Sequence, residues 1–234
     1  MCNACFARGL SRRLVLGGGL AAAAVTTCIG PAKSQPVRAA ETPDAALNLL
    51  LEGNERYASN RLNERDFSAS RAARAQGQAP FAAILGCADS RVAPELAFDR
   101  MPGDLFVVRV AGNFMTPDGL ASLEYGAAVL GTKIVMVLGH TACGAVNATV
   151  GALQKGNDLP GHIADLVRAM KPGIAPVLKE SGDDLPERAA VANVRYTVQR
   201  LVEARPILAD LVVGGKLRIV GAVYNLATGK VALV

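Results

Sequence analysis

Three short runs of apolar residues lie in the middle of the chain, at 81–86, 105–110 and 133–138. Polar residues hardly interrupt them, and each ends at or close to a glycine. Strands that are apolar on both faces are typical of a parallel sheet covered on both sides. We therefore predict that 81–86 and 133–138 form buried strands of a parallel sheet and that 105–110 forms a further strand.

Apolar residues spaced every three or four positions predict helices between and after these strands. The clearest helix is predicted at 189–204, where apolar residues recur at this spacing: Val191, Val194, Val198, Leu201 and Val202. Further helices are predicted at 44–60, 118–131 and 144–153. Thr42 and Asp44 are candidate N-caps of the first of them, because their side chains accept hydrogen bonds from free backbone N–H groups.

Two segments have a less regular pattern. Residues 61–80 are polar and rich in arginine, alanine and glutamine, and we predict a second short helix there that ends near Gly77. Residues 156–188 contain several prolines and glycines. Because proline interrupts helices, we expect loop and short helix in this segment, with a helical stretch near 162–170.

The C-terminal pattern predicts a strand at 216–223, a tight turn and a final strand at 231–234. The whole pattern indicates an α/β fold, with a central, mostly parallel β-sheet flanked by helices and an added C-terminal edge strand. We divide the chain into a leader at 1–40, an N-terminal helical arm at 41–80 and an α/β domain at 81–234.

The charge distribution argues against nucleic-acid binding, although the chain has a formal net charge of +5. Five basic residues and no acidic residue lie within 1–40. Beyond position 40, basic and acidic residues are equal in number. A domain that is formally neutral and has no Trp offers neither a basic surface nor strong stacking platforms.

The first forty residues resemble an export signal of the twin-arginine type. Arg12 and Arg13 directly precede an apolar stretch at 14–29, and candidate small-residue cleavage sites lie at 37–39 and 32–34. We therefore expect export to a bacterial periplasm, with an uncleaved tail as the alternative. No apolar run is long enough to form an ordinary membrane span.

Three of the five cysteines lie in the predicted leader: Cys2, Cys5 and Cys28. The other two, Cys87 and Cys143, follow predicted strands, and His140 stands three residues before Cys143. Ligands collect at the carboxyl ends of parallel strands. If the two strands are close together, these three side chains converge and provide the sulfur and nitrogen donors that zinc prefers.

Asp89 and Arg91 lie two and four residues after Cys87. An arginine that grips a carboxylate with two hydrogen bonds keeps it ionised and oriented, so that it can accept a hydrogen bond from zinc-bound water. This pattern predicts an open, hydrating or hydrolytic zinc site. Two alternatives remain: a closed site with Asp89 as the fourth ligand, and a disulfide between the two cysteines.

The segments Cys-Ala-Asp-Ser-Arg at 87–91 and His-Thr-Ala-Cys-Gly at 140–144 together resemble the signature of the β-class carbonic anhydrases. The similarity extends from about Asn54 to the C-terminus. It includes the segments 103–109, 122–125, 161–163 and 216–229.

The resemblance implies one Zn²⁺ per subunit, bound by three ligands: Cys87, His140 and Cys143. It also implies that Asp89 and Arg91 are the catalytic dyad. Four further positions match substrate-binding positions of the family: Gln78, Phe106, Tyr125 and Gly144. Since the family's pocket is lined partly by the neighbouring subunit, we expect a homodimer or homotetramer.

The implied reaction is the reversible hydration of carbon dioxide to bicarbonate and a proton, the reaction of a carbonate dehydratase, which is a lyase. Zinc-bound hydroxide, oriented by Asp89, would attack the carbon. Two alternatives share this scaffold. One is an enzyme that acts on a carbon dioxide analogue such as carbon disulfide, and the other is a non-enzymatic protein that binds zinc or bicarbonate.

Overall fold

A five-stranded sheet forms the centre of the protein in a computed structural model, which describes residues 40–180, 182 and 184–234. The strands in chain order are β1 (Ala82–Gly86), β2 (Leu105–Arg109), β3 (Ile134–His140), β4 (Arg218–Tyr224) and β5 (Val231–Leu233). Their order across the sheet is β2-β1-β3-β4-β5. The first four are parallel, and β5 pairs with β4 in antiparallel orientation.

Helices cover both faces of this sheet. The helices are α1 (Pro43–Ala58), α2 (Arg71–Arg74), α3 (Pro94–Ala97), α4 (Pro117–Ala128), α5 (Gly144–Lys155), α6 (Ile163–Ile174), α7 (Leu185–Val202) and α8 (Ile207–Val213). A short 3₁₀ helix, Ala175–Lys179, follows α6. The predicted α/β architecture with a C-terminal edge strand is therefore confirmed.

The strand order places a topological switch point between β1 and β3. The chain leaves β1 toward β2 on one side and later returns to pair β3 with the other side of β1. Open α/β sheets bind ligands at such a point, at the carboxyl ends of the strands. All residues of β1 and β3 are buried, so the residues that follow these two strands rest on a rigid core.

Alternate residues of β1 enter two different core clusters. Ala82 and Ile84 pack on the side of α1, whereas Ala83 and Leu85 pack on the side of α4, α7 and α8. This alternation follows from the two-residue period of a strand. Because both faces of the sheet are apolar, its strands have the continuous apolar pattern from which the sequence predicted them.

Glycines let α7 approach the sheet closely. A Cβ atom added to Gly139 of β3 would lie 2.6 Å from a methyl carbon of Val194, and one added to Gly221 of β4 would lie 2.7 Å from the other. Neither contact is sterically possible, so both positions require glycine. The helix is thereby fixed against the strand that ends in His140.

The structure extends two of the predicted helices. Helix α6 continues past Pro172 to Ile174, where only a shorter helical stretch was predicted. The cause is a tertiary contact that the local sequence does not reveal. Gly173 is buried against α7, and a Cβ there would lie 2.7 Å from Cβ of Tyr196. Helix α7 itself begins at Leu185, four residues earlier than predicted, with a proline in its first turn.

Residues 1–39, which include almost all of the predicted leader, lie outside the described residues, so the prediction of an export signal stays a prediction. Within the described part of the chain, no helix combines the length and the apolar character needed to cross a lipid bilayer.

Candidate metal centre

Cys87, His140 and Cys143 meet at the carboxyl ends of β1 and β3. Cys87 directly follows β1, His140 is the last residue of β3, and Cys143 is the N-cap of α5. Their ligand atoms all lie within 4.8 Å of one another, and all three residues are buried. The convergence predicted from the two segments is therefore confirmed.

The distance between the two sulfurs suits a metal better than a disulfide. The Sγ atoms are 4.0 Å apart, and both cysteines are free. In a tetrahedral site with Zn–S bonds of about 2.3 Å, two sulfurs lie roughly 3.8 Å apart. The structure therefore does not adopt the disulfide alternative.

His140 presents one ring nitrogen to this cluster. Its Nδ1 lies 2.9 Å from the carbonyl oxygen of Thr141 and so carries the proton and donates to that oxygen. Its Nε2 is left with a lone pair, is buried, and has no hydrogen-bond partner among the described residues. A buried polar atom without a partner is costly. A metal ion bound by this nitrogen and the two sulfurs would remove that cost, so the residues present fit zinc.

The two cysteines form a coupled pair. The Cys143 sulfur and the backbone N–H of Gly112 both contact the Cys87 sulfur, the latter with N and Sγ 3.3 Å apart. These contacts lower the pKa of Cys87, whereas the neighbouring Cys87 sulfur and burial raise the pKa of Cys143. The lowered pKa of Cys87 favours its thiolate form, which is the form that binds metals.

The charge of the cluster also acts on His140. Burial opposes protonation of its ring, but the nearby Cys87 sulfur, the Thr141 carbonyl and the charge of Asp89 favour the protonated form and raise its pKa. Negative charge thus dominates the electrostatics of the cluster.

Asp89 and Arg91 form a bidentate ion pair beside the cluster. Oδ1 of Asp89 accepts from the Arg91 backbone N–H and from Nε, both at 2.9 Å, and Oδ2 accepts from Nη2 at 2.7 Å. The side-chain hydrogen bonds from Arg91 hold the pKa of Asp89 well below its usual range. Oδ2 also lies 3.7 Å from Nε2 of His140. An ionised, oriented carboxylate therefore borders the point at which the three donors converge.

Arg109 has a role to which no sequence motif pointed. From the end of β2, its Nε donates to the carbonyl oxygen of Cys87 at 2.9 Å, and its Nη2 donates to those of Asp89 at 2.6 Å and Val92 at 2.9 Å. The guanidinium therefore fixes the loop that carries one candidate ligand and the candidate dyad. The sequence signals were its place at the end of the segment 103–109, which resembles the family, and its charge at the end of an otherwise apolar strand.

Gly144 is exposed and is the first residue of α5, directly after Cys143. A Cβ added to it would meet no atom within 4 Å. The space beside Cys143 is therefore open to a small molecule.

The other residues that the resemblance assigned to the substrate are not near this cluster within one protomer. Phe106 pairs with Ala83 of β1, which lies four residues before Cys87. Along the strand direction, Phe106 is therefore about 13 Å from Cys87. The ring of Tyr125, from α4, packs on it with a centroid distance of 6.3 Å, and Tyr125 is half exposed. Gln78 is exposed and precedes β1, at the opposite end of the strand from Cys87.

Comparisons with known proteins agree with this geometry. The family model described as carbonic anhydrase matches residues 82–231. The chain is 39% identical over 192 residues to carbonic anhydrase 2 of Mycobacterium tuberculosis, which covers 82% of this chain and 92% of the relative. It is 38% identical to the carbonic anhydrase of Mycolicibacterium smegmatis, over 82% of this chain and 93% of that one.

Solved structures give the same assignment. The Coccomyxa β-carbonic anhydrase in complex with acetazolamide is 30% identical, with a TM-score of 0.64 over 80% of this chain and 86% of that one. The β-carbonic anhydrase CcaA is 28% identical, with the same TM-score and the same coverage. By sequence and by fold, the chain therefore belongs to the carbonic anhydrase family, and within it to the β class.

Proposed function

We propose that this protein catalyses the reversible hydration of carbon dioxide to bicarbonate and a proton, with one zinc ion per subunit held by Cys87, His140 and Cys143. Its membership of the carbonic anhydrase family supports the reaction. The single observation that supports the metal is the buried, unpartnered Nε2 of His140 beside two sulfurs 4.0 Å apart.

A zinc ion bound here would supply Lewis acidity and bring the pKa of a water molecule from about 15.7 toward neutrality. The protein's own contribution is orientation. Asp89 Oδ2 borders the convergence point of the three donors and can accept a hydrogen bond from the attacking water. Because Arg91 fixes the carboxylate plane, that hydrogen bond directs the free lone pair of the water toward the carbon of the substrate.

Asp89 acts as an orienting acceptor rather than as a store for the released proton. A carboxyl group with a strongly lowered pKa stays ionised at neutral pH and does not retain a proton. Both of its oxygens already accept hydrogen bonds from Arg91. This pairing supports the open site, with Asp89 away from the metal, over the closed site in which it is the fourth ligand.

We further propose that the active unit is a homodimer or homotetramer. Gln78, Phe106 and Tyr125 are too far from Cys87 to serve the site of their own chain. They can line a substrate pocket only if a second copy brings them to it. The exposed ring of Tyr125 on Phe106 supports this arrangement, because aromatic rings of this kind are enriched at interfaces.

We also propose export to the periplasm, on the basis of Arg12, Arg13 and the apolar stretch that follows them. Fractionation of cells that express the complete chain tests this. Replacement of both arginines by lysine is expected to retain the protein in the cytoplasm. Periplasmic recovery of that variant would contradict a twin-arginine route.

The two histidines of the chain offer a matched test of the metal site. His140 is buried in the cluster, whereas the side chain of His162 is fully exposed at the start of α6. We expect H140A to lose both zinc, measured by elemental analysis, and carbon dioxide hydration, measured by stopped-flow. H162A is expected to keep both.

The alternatives predict other results. A wild-type protein that contains zinc but hydrates no carbon dioxide would support the non-enzymatic alternative. If it instead consumes carbon disulfide, the analogue enzyme would be supported. Hydration by H140A at the wild-type rate would contradict the proposed metal site itself.

A further inference from the structure

Asn193 is a buried amide in an apolar setting. It lies on α7, is 0% exposed, and its neighbours on the buried face of this helix are mostly alanine, valine and leucine. Its Oδ1 has no hydrogen-bond partner among the described residues. A leucine at this position would avoid the free-energy cost of burying a polar group. The reason for an amide at this buried position must therefore lie in the contact that its Nδ2 atom makes.

The Nδ2 of Asn193 donates to the carbonyl oxygen of Gly112 at 2.7 Å, across the interior of the protein. Gly112 is also the residue whose N–H lies 3.3 Å from the Cys87 sulfur. Gly112 thus accepts a hydrogen bond from Asn193 through its carbonyl oxygen and contacts a candidate metal ligand through its N–H.

The geometry of Gly112 admits no other residue. Its φ of +87° lies in the region that side chains disfavour, and a Cβ would lie 2.5 Å from the Sδ atom of Met170. Asn113, which follows it, also has a positive φ. The Asn113 N–H closes this turn by donating to the Val110 carbonyl at 2.9 Å, and Asn193 adds a hydrogen bond from α7.

We infer that Asn193 is a positioning residue for the metal ligand Cys87: it fixes the Gly112 turn so that the Gly112 N–H points at the Cys87 sulfur. A hydrogen bond from an N–H to a thiolate stabilises the thiolate form and orients the sulfur toward the metal. Asn193 therefore acts on the cluster from α7, through Gly112, without touching a ligand. The same helix holds β3 through the contact of Val194 with Gly139, next to His140.

Thr197 supplies a matched control. It lies one turn further along the same buried face of α7, is 1% exposed, and its hydroxyl has no partner among the residues described. T197V removes a buried polar group of similar size but no contact with the Gly112 turn. N193L removes the amide and keeps the branching at Cγ, with a larger side chain.

We expect N193L to bind zinc about 10- to 100-fold more weakly than wild type in competition with a chromophoric chelator. In the cobalt-substituted protein, the thiolate-to-cobalt charge-transfer band is expected to move to longer wavelength, because the Cys87 sulfur loses a hydrogen bond. T197V is expected to keep the wild-type affinity and spectrum. If N193L does not fold, as judged by circular dichroism, N193A provides the same comparison without added bulk.

The wild-type protein provides an independent measurement. The Gly112 amide proton is expected to exchange slowly with solvent, and to exchange faster in the Asn193 variant. Rapid exchange in wild type, or wild-type affinity and spectrum in a folded Asn193 variant, would overturn the inference.

This inference rests on the proposed function, and the two can fail separately. If wild type and T197V bind no metal, the proposed metal site is wrong. If wild type, T197V and N193L all bind zinc equally, the metal site stands and only the positioning role of Asn193 is refuted.

Discussion

A pair of inactive variants tests whether two chains build each pocket. H140A removes a ligand from the cluster, whereas Q78A leaves the cluster intact and removes the glutamine that the resemblance assigns to the substrate. Co-expression of the two chains with different tags, followed by purification on both tags, yields hybrid dimers. Each hybrid carries one defect on each chain.

The structure determines the expected magnitude. Gln78 and Cys87 lie beyond opposite ends of β1, whose five residues span roughly 16 Å, too far for one side chain to bridge. If the glutamine serves the neighbouring chain, one of the two sites in each hybrid has an intact cluster and an intact glutamine. The hybrid should then recover about half of the wild-type activity per dimer. If the glutamine acts within its own chain, neither site is intact.

Stopped-flow hydration assays on both parents and on the purified hybrid decide between these outcomes. A hybrid of H140A with C143S is the control. Because all three ligand residues come from one chain, no intact cluster can form in it and no activity should return. Activity of the H140A–Q78A hybrid no higher than the mean of its parents would refute the proposal that the pocket is shared.

Three further predictions concern single side chains. D89N should keep its zinc but lose roughly 100-fold in turnover, since an amide no longer orients the water as the carboxylate does; unchanged turnover in stopped-flow assays would exclude the assigned role. R109M removes hydrogen bonds to the carbonyls of Cys87, Asp89 and Val92. It should lower the free energy of unfolding, measured with urea, by about 1–3 kcal/mol, at the low end of this range because Arg109 is exposed. It should also weaken zinc binding. Wild-type stability together with wild-type zinc affinity would show that the loop keeps its conformation without Arg109. Burial raises the pKa of Asp104 in the folded state above its value in the unfolded state. The free energy of unfolding therefore falls as the pH rises from the unfolded-state pKa to the folded-state pKa. D104N should therefore unfold at a higher temperature than wild type at pH 7, with a difference that shrinks below about pH 4, and a lower unfolding temperature at pH 7 would contradict this sign.

The strands and the ligand cluster were accessible from sequence because their signals are local. Continuous apolar runs mark β1 and β3, and the two cysteines and one histidine follow these runs directly. The sequence could not give the order of the strands. That β1 pairs with β3 as well as with β2 is a long-range contact, and the convergence of the ligands depends on it.

Other features escaped the sequence for the same physical reason. Gln78 is only nine positions from Cys87, yet the intervening strand carries it to the opposite end of the sheet. The contact of Asn193 with Gly112 joins residues that are 81 positions apart. The length of α6 depends on the packing of Gly173 against Tyr196. Each depends on which surfaces meet in three dimensions, and no local pattern encodes that.

The adjacency of β1 and β3 has a consequence for how the protein assembles. Cys87 and His140 are roughly fifty residues apart in the chain, so bringing them together closes a long loop at an entropic cost. The three candidate ligands converge only once β1 and β3 are paired, and β2 and α4 lie in the segment between them. An ion should therefore be captured late in folding, after the sheet has closed. Release of bound zinc during denaturation would then signal the collapse of the whole domain rather than the fraying of a loop.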